Sequence, residues 1–266
     1  MENKALFVLE FEKFQPQLKS FILRMTASVE DTEDLLHDTF IKASENIATF
    51  KNKSSLKTWV FSIAVNHTKN FLRSKKRWTD NVTDIGKEAA LASPGFMQRI
   101  GEVNQNSAHG AFVLQEHINF CFTCIGKTLP IEQQIVVLLK EIYGFKVSEI
   151  SELTAETEGV IKHALFNGRQ SMISIFEKRC SLINKEGVCH QCSELNGIFN
   201  PHHETQKELM KIEMVKKAHK KSQEELFEMR TKIAKAIDPY HTEGADLQLF
   251  HIQHTKKAME DFFDKK

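Results

Sequence analysis

The 266-residue chain has little of what interrupts helices: 11 Gly and 5 Pro. Such scarcity leaves few tight turns and argues against a many-stranded sheet, a collagen-like repeat or a low-complexity chain. Charge of one sign is also missing, since 36 Lys+Arg meet 35 Asp+Glu. This excludes a uniformly basic nucleic-acid coat and an acidic solvating tail, but not charge segregated along the chain. No run approaches the roughly 18 apolar residues of a membrane span. The stretch from Met1 to Phe7 has no apolar core and no cleavage site, so a cytoplasmic protein is expected. Five Cys is an odd number for a disulfide framework, which leaves reduced thiols or a metal site. A Gly-rich nucleotide loop, G-x-S-x-G and H-E-x-x-H are all absent, and no enzyme is expected.

What is present reads as helix. Leu6, Leu9, Phe14, Leu18, Phe21, Ile22 and Met25 recur at helical spacing, with a bend expected near Pro16. Thr32–Ala48 carries an apolar stripe, and Ser54 or Ser55 caps a third helix through Trp59, Ile63 and Leu72. Residues 79–115 hold four of the glycines with Ser, Asn and Gln, and read as a linker. Beyond Leu129-Pro130 lie a helix over Ile131–Ile142 ended by Gly144, a second over Lys146–Leu153, a turn at Thr154–Glu156, and a third capped by Thr157. Two short helices joined by a tight turn, the second polar, form a helix-turn-helix pattern, although any small bundle has such corners. A Cys/His-rich stretch follows. Amphipathic helices over Glu204–Ile237 and Leu247–Phe263 then flank Pro239 and are expected to face each other. The fold class is all-α: domains at 1–78 and 116–179, a linker at 79–115, and a helical extension at 180–266.

The even net charge hides a sharp division. Glu30–Glu45 holds six acids and one Lys, whereas Lys51–Trp78 holds eight bases and no acid. Most charge runs are merely solvated helix faces, but those mix signs. An acid-free basic segment repels itself unless an anion is present, and phosphate supplies one. Phe50, Trp59, Phe61, Phe71 and Trp78 are interleaved with these bases. Aromatic faces stack on unpaired bases, although Trp59 or Phe61 must serve the core. Asn66 and Asn70, four apart, share a helix face and suit base edges. Lys51, Arg73, Lys75 and Arg77 suit phosphates.

These residues carry a resemblance. Asp31-Thr-Glu-Asp-Leu-Leu-His-Asp-Thr-Phe-Ile-Lys-Ala43 resembles a family helix of the form D-x-E-D-L-x-Q-(E/D)-x-F-x-(K/R)-A. The segment Phe50–Arg73, with Thr58-Trp59, Ile63-Ala64 and Asn66 at the family spacing, resembles region two of bacterial RNA polymerase sigma factors, extracytoplasmic-function (ECF) group. Gly159-Val-Ile-Lys-His-Ala-Leu-Phe-Asn-Gly-Arg169 is similar to the recognition helix of region four. The resemblance covers about residues 5–78 and 118–178. It implies a transcription-initiation factor with core RNA polymerase and promoter DNA as partners, and leaves room for an anti-sigma factor. Asp34, His37, Asp38 and Phe40 would dock on the clamp helices of the polymerase beta-prime subunit. Phe50, the Lys51–Ser55 loop, Trp59, Asn66 and Asn70 would recognise and melt the promoter element nearest the start site. Lys162, His163, Phe166, Asn167 and Arg169 would enter the major groove of the upstream element, and the linker would thread near the polymerase active-site channel. His37 stands where Gln is usual, Ala164 and Asn167 where Arg is usual, and Gly168 where Ala is common. Each lost Arg removes a possible phosphate or guanine contact.

Two C-x-x-C pairs remain. Cys121 and Cys124 lie among apolar residues and read as core thiols. Cys180, Cys189 and Cys192 with His202 or His203 have the composition of a Cys₃His structural zinc site, with an unligated reduced loop as the alternative. No other cofactor is called for. Two further readings are a repressor acting without core polymerase, which leaves the basic aromatic helix without a job, and a helical metal enzyme built on the tail histidines, which leaves the tandem motifs unexplained.

Overall fold

The computed structural model describes residues 2–52, 54–95, 98, 102, 110–180, 220–242 and 245–265. Among the described residues every regular element is helical. They form two compact units, one of Met1–Arg77 with Leu129–Arg169, the other of Trp78–Thr128 with Gln170–Lys266.

The first unit begins with α1, Glu2–Thr26. Phe7, Phe11, Phe14, Leu18, Phe21, Ile22 and Met25 form its buried stripe. Leu6 and Leu9, expected on that stripe, are 57% and 59% exposed, because the 3.6-residue period that includes Phe14 and Leu18 passes through Phe7 and Phe11 instead. Pro16 is exposed within this helix. Ala27, left-handed at φ 56°, turns the chain into α2, Val29–Asn46. The Ser28 hydroxyl there accepts the Asp31 N–H at 3.3 Å, with Glu30 and Asp31 in the first turn favouring the helix dipole. A 3₁₀ turn, Ile47–Thr49, leads to α3, Leu56–Arg73. Its cap is Ser55, whose Oγ accepts the Thr58 N–H at 3.0 Å. These three helices pack on one another around Phe21, Phe61, Ala64 and Val65.

The same unit contains α6, Ile131–Val137, which continues through a π turn, Leu138–Ile142. Gly144, at φ 73°, allows the chain to leave that turn. Then come α7, Val147–Thr154, a left-handed Ala155 at φ 57°, and the first half of α8, Glu158–Arg179. Ile161, Leu165, Gly168 and Met172 repeat at helical spacing on the inner face of α8.

The second unit holds α4, Val82–Leu91, α5, Gly110–Gly126, the end of α8, α9, Gln223–Ala236, and α10, Ala245–Asp264. Helix α4 lies inside the stretch read as a linker. Val82, Thr83, Gly86 and Ala90 are its buried side, a short apolar face that only a partner helix makes worthwhile. That partner is α10: a β-carbon on Gly86 would lie 3.2 Å from the Thr255 hydroxyl. The N-terminus of α9 is set by a capping box between Ser222 and Glu225. The earlier part of the helix expected from Glu204 lies outside the described residues. Helices α9 and α10 were expected to face each other, but α9 packs chiefly on α5, and α10 chiefly on α4 and less on α5. Phe122 of α5 meets Phe176 and Phe227 at ring centroid distances of 6.4 and 6.0 Å, which makes α5 the centre of this core. Cys124 is buried there and Cys121 half-buried.

Candidate nucleic-acid interface

The acidic face of α2 comes first along the chain. Leu35, Leu36, Thr39 and Ala43 are buried, which leaves Asp34, His37 and Asp38 exposed together at i, i+3 and i+4. Phe40 turns inward, with its ring 5.1 Å from Phe11 and 5.8 Å from Phe7. The exposed apolar group beside the acids is therefore Ile41, 39% exposed, although the sequence pattern sets it on the apolar stripe of Thr32–Ala48 with Leu35, Leu36, Phe40 and Ile47. Its signal was positional: Ile41 follows Asp34 by seven residues, two helical turns. Across from this face, His67 of α3 is half-buried. Burial and the Lys42 charge push its pKa below the usual histidine value, against the pull of Asp38.

Helix α3 presents a polar stripe. Trp59, Asn66, Asn70 and Arg73 are spaced by seven, four and three residues, so they fall on one side, opposite buried Val60, Phe61, Ala64 and Val65. Asn66, Asn70 and Arg73 are exposed, and Arg73 donates to the Asn70 amide oxygen at 3.1 Å. Trp59 is half-buried and pairs with Phe50, ring centroids 5.4 Å apart. Phe50 and Trp59 thus form an aromatic shelf at the start of the stripe, and Phe61 is the core ring. Lys51 is exposed at the edge of the shelf, and Lys75 lies 5.1 Å over the Phe71 ring. This arrangement suits bases stacked on the shelf and read by the two amides, with cations along the backbone.

Three bases of the acid-free segment lie elsewhere. Arg77 donates from Nε to the Leu129 carbonyl at 2.7 Å and from Nη2 to the Gln134 amide oxygen at 2.5 Å. Burial lowers its pKa to about 10, against the pull of Glu132. Lys69 pairs with Glu132 at 3.2 Å. Lys57 lies over Phe145 and Phe61 at 5.1 and 5.7 Å, and burial lowers its pKa, partly offset by Glu149.

In α8, Lys162, His163 and Phe166 are exposed, Phe166 by 62%. Asn167 is half-buried and lies 3.3 Å from the His163 ring nitrogen, while Lys162 bonds Glu158 at 3.1 Å. Arg169 turns back to Glu141 at 3.7 Å, so its guanidinium faces the π turn that follows α6. Val160 is exposed by 50% and adds an apolar edge to this face. Gly168 explains its departure from Ala, because a β-carbon would come within 2.7 Å of Val137 Cγ2 and 3.4 Å of Gln133 Cβ.

Cys180 is half-buried with a free thiol. Cys189, Cys192, His202 and His203 lie outside the described residues. Among the described residues no three His, Cys, Asp or Glu groups are placed to hold a metal. No helix among them is long and apolar enough to cross a membrane.

An all-α chain that carries a basic aromatic helix beside an acidic one, followed by a helix-turn-helix, defines a DNA-binding transcription protein. The family profiles match in the same places: Sigma-70 region 2 over residues 11–78 and Sigma-70, region 4 over residues 121–172. The ECF RNA polymerase sigma-E factor of Haemophilus influenzae is 26% identical over 168 residues, 63% of this chain and 86% of that one. The ECF RNA polymerase sigma factor SigG of Mycobacterium tuberculosis is 24% identical over 184 residues, 65% of this chain and 50% of that one. The chain thus spans about half the length of SigG. Among solved structures, the sigma factor RpoE in complex with the anti-sigma factor NepR from Bartonella quintana matches with a TM-score of 0.46 and 20% identity, over 64% of this chain and 96% of that one. The two matched segments are those of sigma regions two and four, and the chain is similar to the ECF group of RNA polymerase sigma factors.

Proposed function

We propose that this chain binds core RNA polymerase, directs it to a class of promoters and opens the DNA there, acting in the cytoplasm as a positioning factor and not as a catalyst. The observation that carries this reading is the exposed stripe of Trp59, Asn66, Asn70 and Arg73 on a helix whose flank is basic. Amides beside an aromatic shelf read unpaired bases, and unpaired bases exist only once a duplex is open. The Asp34–His37–Asp38 face of α2 supplies the polymerase dock, with Ile41 as its apolar centre. The exposed face of α8, with Lys162, His163, Phe166 and Asn167, reads the upstream duplex; Arg169 sets the angle of α8 against α6. The domains act as proposed from the sequence: 1–78 for dock and melting, 116–179 for upstream reading. The extension at 180–266 takes a structural Zn²⁺ through Cys180, Cys189, Cys192 and His202, a reading supported by their spacing. Pull-down of core polymerase followed by run-off transcription tests the function. Retention of core and promoter-dependent transcripts are expected, and failure to bind core overturns it. Metal analysis of untagged protein should give about one zinc per chain, and less than half would remove the site.

A further inference from the structure

Helix α9 buries a charge on its apolar side. Its buried residues are Leu226, Phe227, Arg230, Thr231 and Ala234, and Arg230 is 2% exposed. A long cationic side chain usually lays its stem on apolar surface and keeps its head in water, which that burial excludes. The guanidinium carbon instead lies 4.4 Å from the ring centroid of Phe176. Phe176 of α8, Phe122 of α5 and Phe227 of α9 form one aromatic cluster, so the charge sits where three helices of the second unit meet. Among the described residues no hydrogen-bond partner reaches its Nη2. The helix itself offers none, because the positions three and four away are Phe227, Leu226, Ile233 and Ala234, all apolar. Glu224 and Glu228 are exposed, and Glu225 is held by Lys221 and the Ser222 N–H at 2.5 and 2.8 Å. The neighbouring Thr231, by contrast, satisfies its buried hydroxyl on the Phe227 carbonyl at 2.9 Å.

We propose that Arg230 anchors a buried site for a small oxyanion, a phosphate or carboxylate group, in the second unit. An arginine keeps its charge in a protein interior, so its surroundings must supply a counter-charge or bear the desolvation. A ring face attracts the cation but offers no acceptor to the N–H groups at its edge, so Phe176 offsets only part of that penalty. The planar fork of N–H donors matches two oxygens of a phosphate or carboxylate, and such charge-assisted pairs are strong. A cation or an apolar ligand would leave the same N–H unmet. The site is closed at 2% exposure, so the anion enters when α9 parts from Phe176 and is held when α9 docks again. Occupancy therefore favours the docked extension, by mass action on the form that binds. None of the residues assigned to the polymerase dock or to DNA takes part, so the site stands whether or not the sigma-factor reading does.

The test uses the full chain in a Trp59→Phe background, where the buried Trp78 reports melting of the second unit. Sodium phosphate at ten times its half-saturating level should raise the midpoint by about 3–5 °C over sodium chloride of equal ionic strength. Sodium acetate in place of phosphate separates the two ligand groups: an equal rise assigns a carboxylate, and a rise with phosphate alone assigns a phosphate. Arg230→Met keeps the length and removes the charge. It should melt no lower than wild type in chloride, because an uncompensated buried charge is gone, and should not respond to phosphate. Lys232→Met removes an exposed charge from the same helix and should keep the full rise. No rise in wild type with either anion, or the same rise in Arg230→Met, overturns the proposal. A second measurement needs no variant. Hydrogen exchange of the wild-type chain, read by mass spectrometry, should slow about tenfold over α9 in the anion that raises the midpoint. Equal exchange of α9 in that anion and in chloride, or slowing confined to the basic α3, overturns the site even where Arg230→Met does not fold.

Discussion

Gly168 of α8 lies so close to Val137 of α6 that a β-carbon on it would come within 2.7 Å of the Val137 Cγ2 methyl. Valine is stiff about χ1, so the methyl cannot swing aside and the backbones must separate. Gly168→Ala should destabilise the first unit by about 1–3 kcal/mol, the usual cost of overpacking. It should also weaken binding to the upstream duplex, because α8 is displaced from the angle that Arg169 and Glu141 set. Val137→Ala should relieve much of this, so that the double variant melts above the additive expectation. A thermal melt followed by Trp59 fluorescence, in a Trp78→Phe background, reads it. A Gly168→Ala protein as stable as wild type would remove the close packing.

The dock proposed on α2 should separate charge from apolar contact. Asp34→Arg with Asp38→Arg should abolish core binding while leaving the helix folded, because both side chains are exposed and such swaps alter stability little. Ile41→Ala should lower core affinity roughly tenfold with its salt dependence unchanged, as removal of a buried apolar contact would. Phe40→Ala acts differently, because its ring packs on Phe7 and Phe11. It should lower stability first. Competition binding against a labelled wild-type chain distinguishes these outcomes, and a salt-dependent Ile41→Ala defect would overturn the apolar assignment.

On α3, the amides and the cations should respond differently. Asn66→Ala should reduce open-complex formation more than closed-complex affinity, because the amide has base edges to read only after melting. Lys75→Ala should weaken binding across sequences and flatten the salt slope by about one. Permanganate footprinting and filter binding on the same promoter read the two effects. An Asn66→Ala defect equal on all sequences would mean that Asn66 holds phosphate.

The sequence made the exposed halves of these helices readable. Helical period and the segregation of acids from bases lead to Asp34, Asp38, Asn66 and Asn70, and all four are exposed. What it concealed depends on partners far along the chain. Arg77 resembles Lys75 in the sequence, but its acceptors are at Leu129 and Gln134, more than fifty residues on. Arg169 sits on a DNA-reading helix by motif, but its partner Glu141 belongs to the π turn after α6. Phe40 and Ile41 are neighbours, and only the positions of Phe7 and Phe11 decide which faces out. Helix α4 was hidden because its buried face is short, four residues that include Thr83 and Gly86, and it packs on α10, far along the chain. Gly168 was visible as a departure, but its reason lies in the separation of two helices.

The second unit should be sensitive to acid. His251 of α10 is 6% exposed and meets His117 of α5 and Phe120 at ring centroid distances of 5.9 and 5.3 Å. Burial, then the His117 and His254 charges, lowers its pKa to about 3, from 6.5. His254 is also lowered by burial, partly offset by its hydrogen bond with the Ala89 backbone, with Lys257 adding to the lowering. In the folded chain His251 is therefore neutral at pH values where the unfolded chain would protonate it. The unfolded state binds more protons between pH 6.5 and 3, so stability is complete above 6.5 and falls as pH drops through that window. At pH 5 the loss attributable to His251 is about 2 kcal/mol. Trp78 is buried in this unit, so its fluorescence in a Trp59→Phe background reports urea unfolding of the unit. His251→Leu should flatten the pH dependence between 6.5 and 5 by about that amount, while Asp34→Arg, in the other unit, should leave it unchanged. If His251→Leu keeps the full acid sensitivity, the proton is taken up elsewhere, and His117 and His254 become the groups to replace.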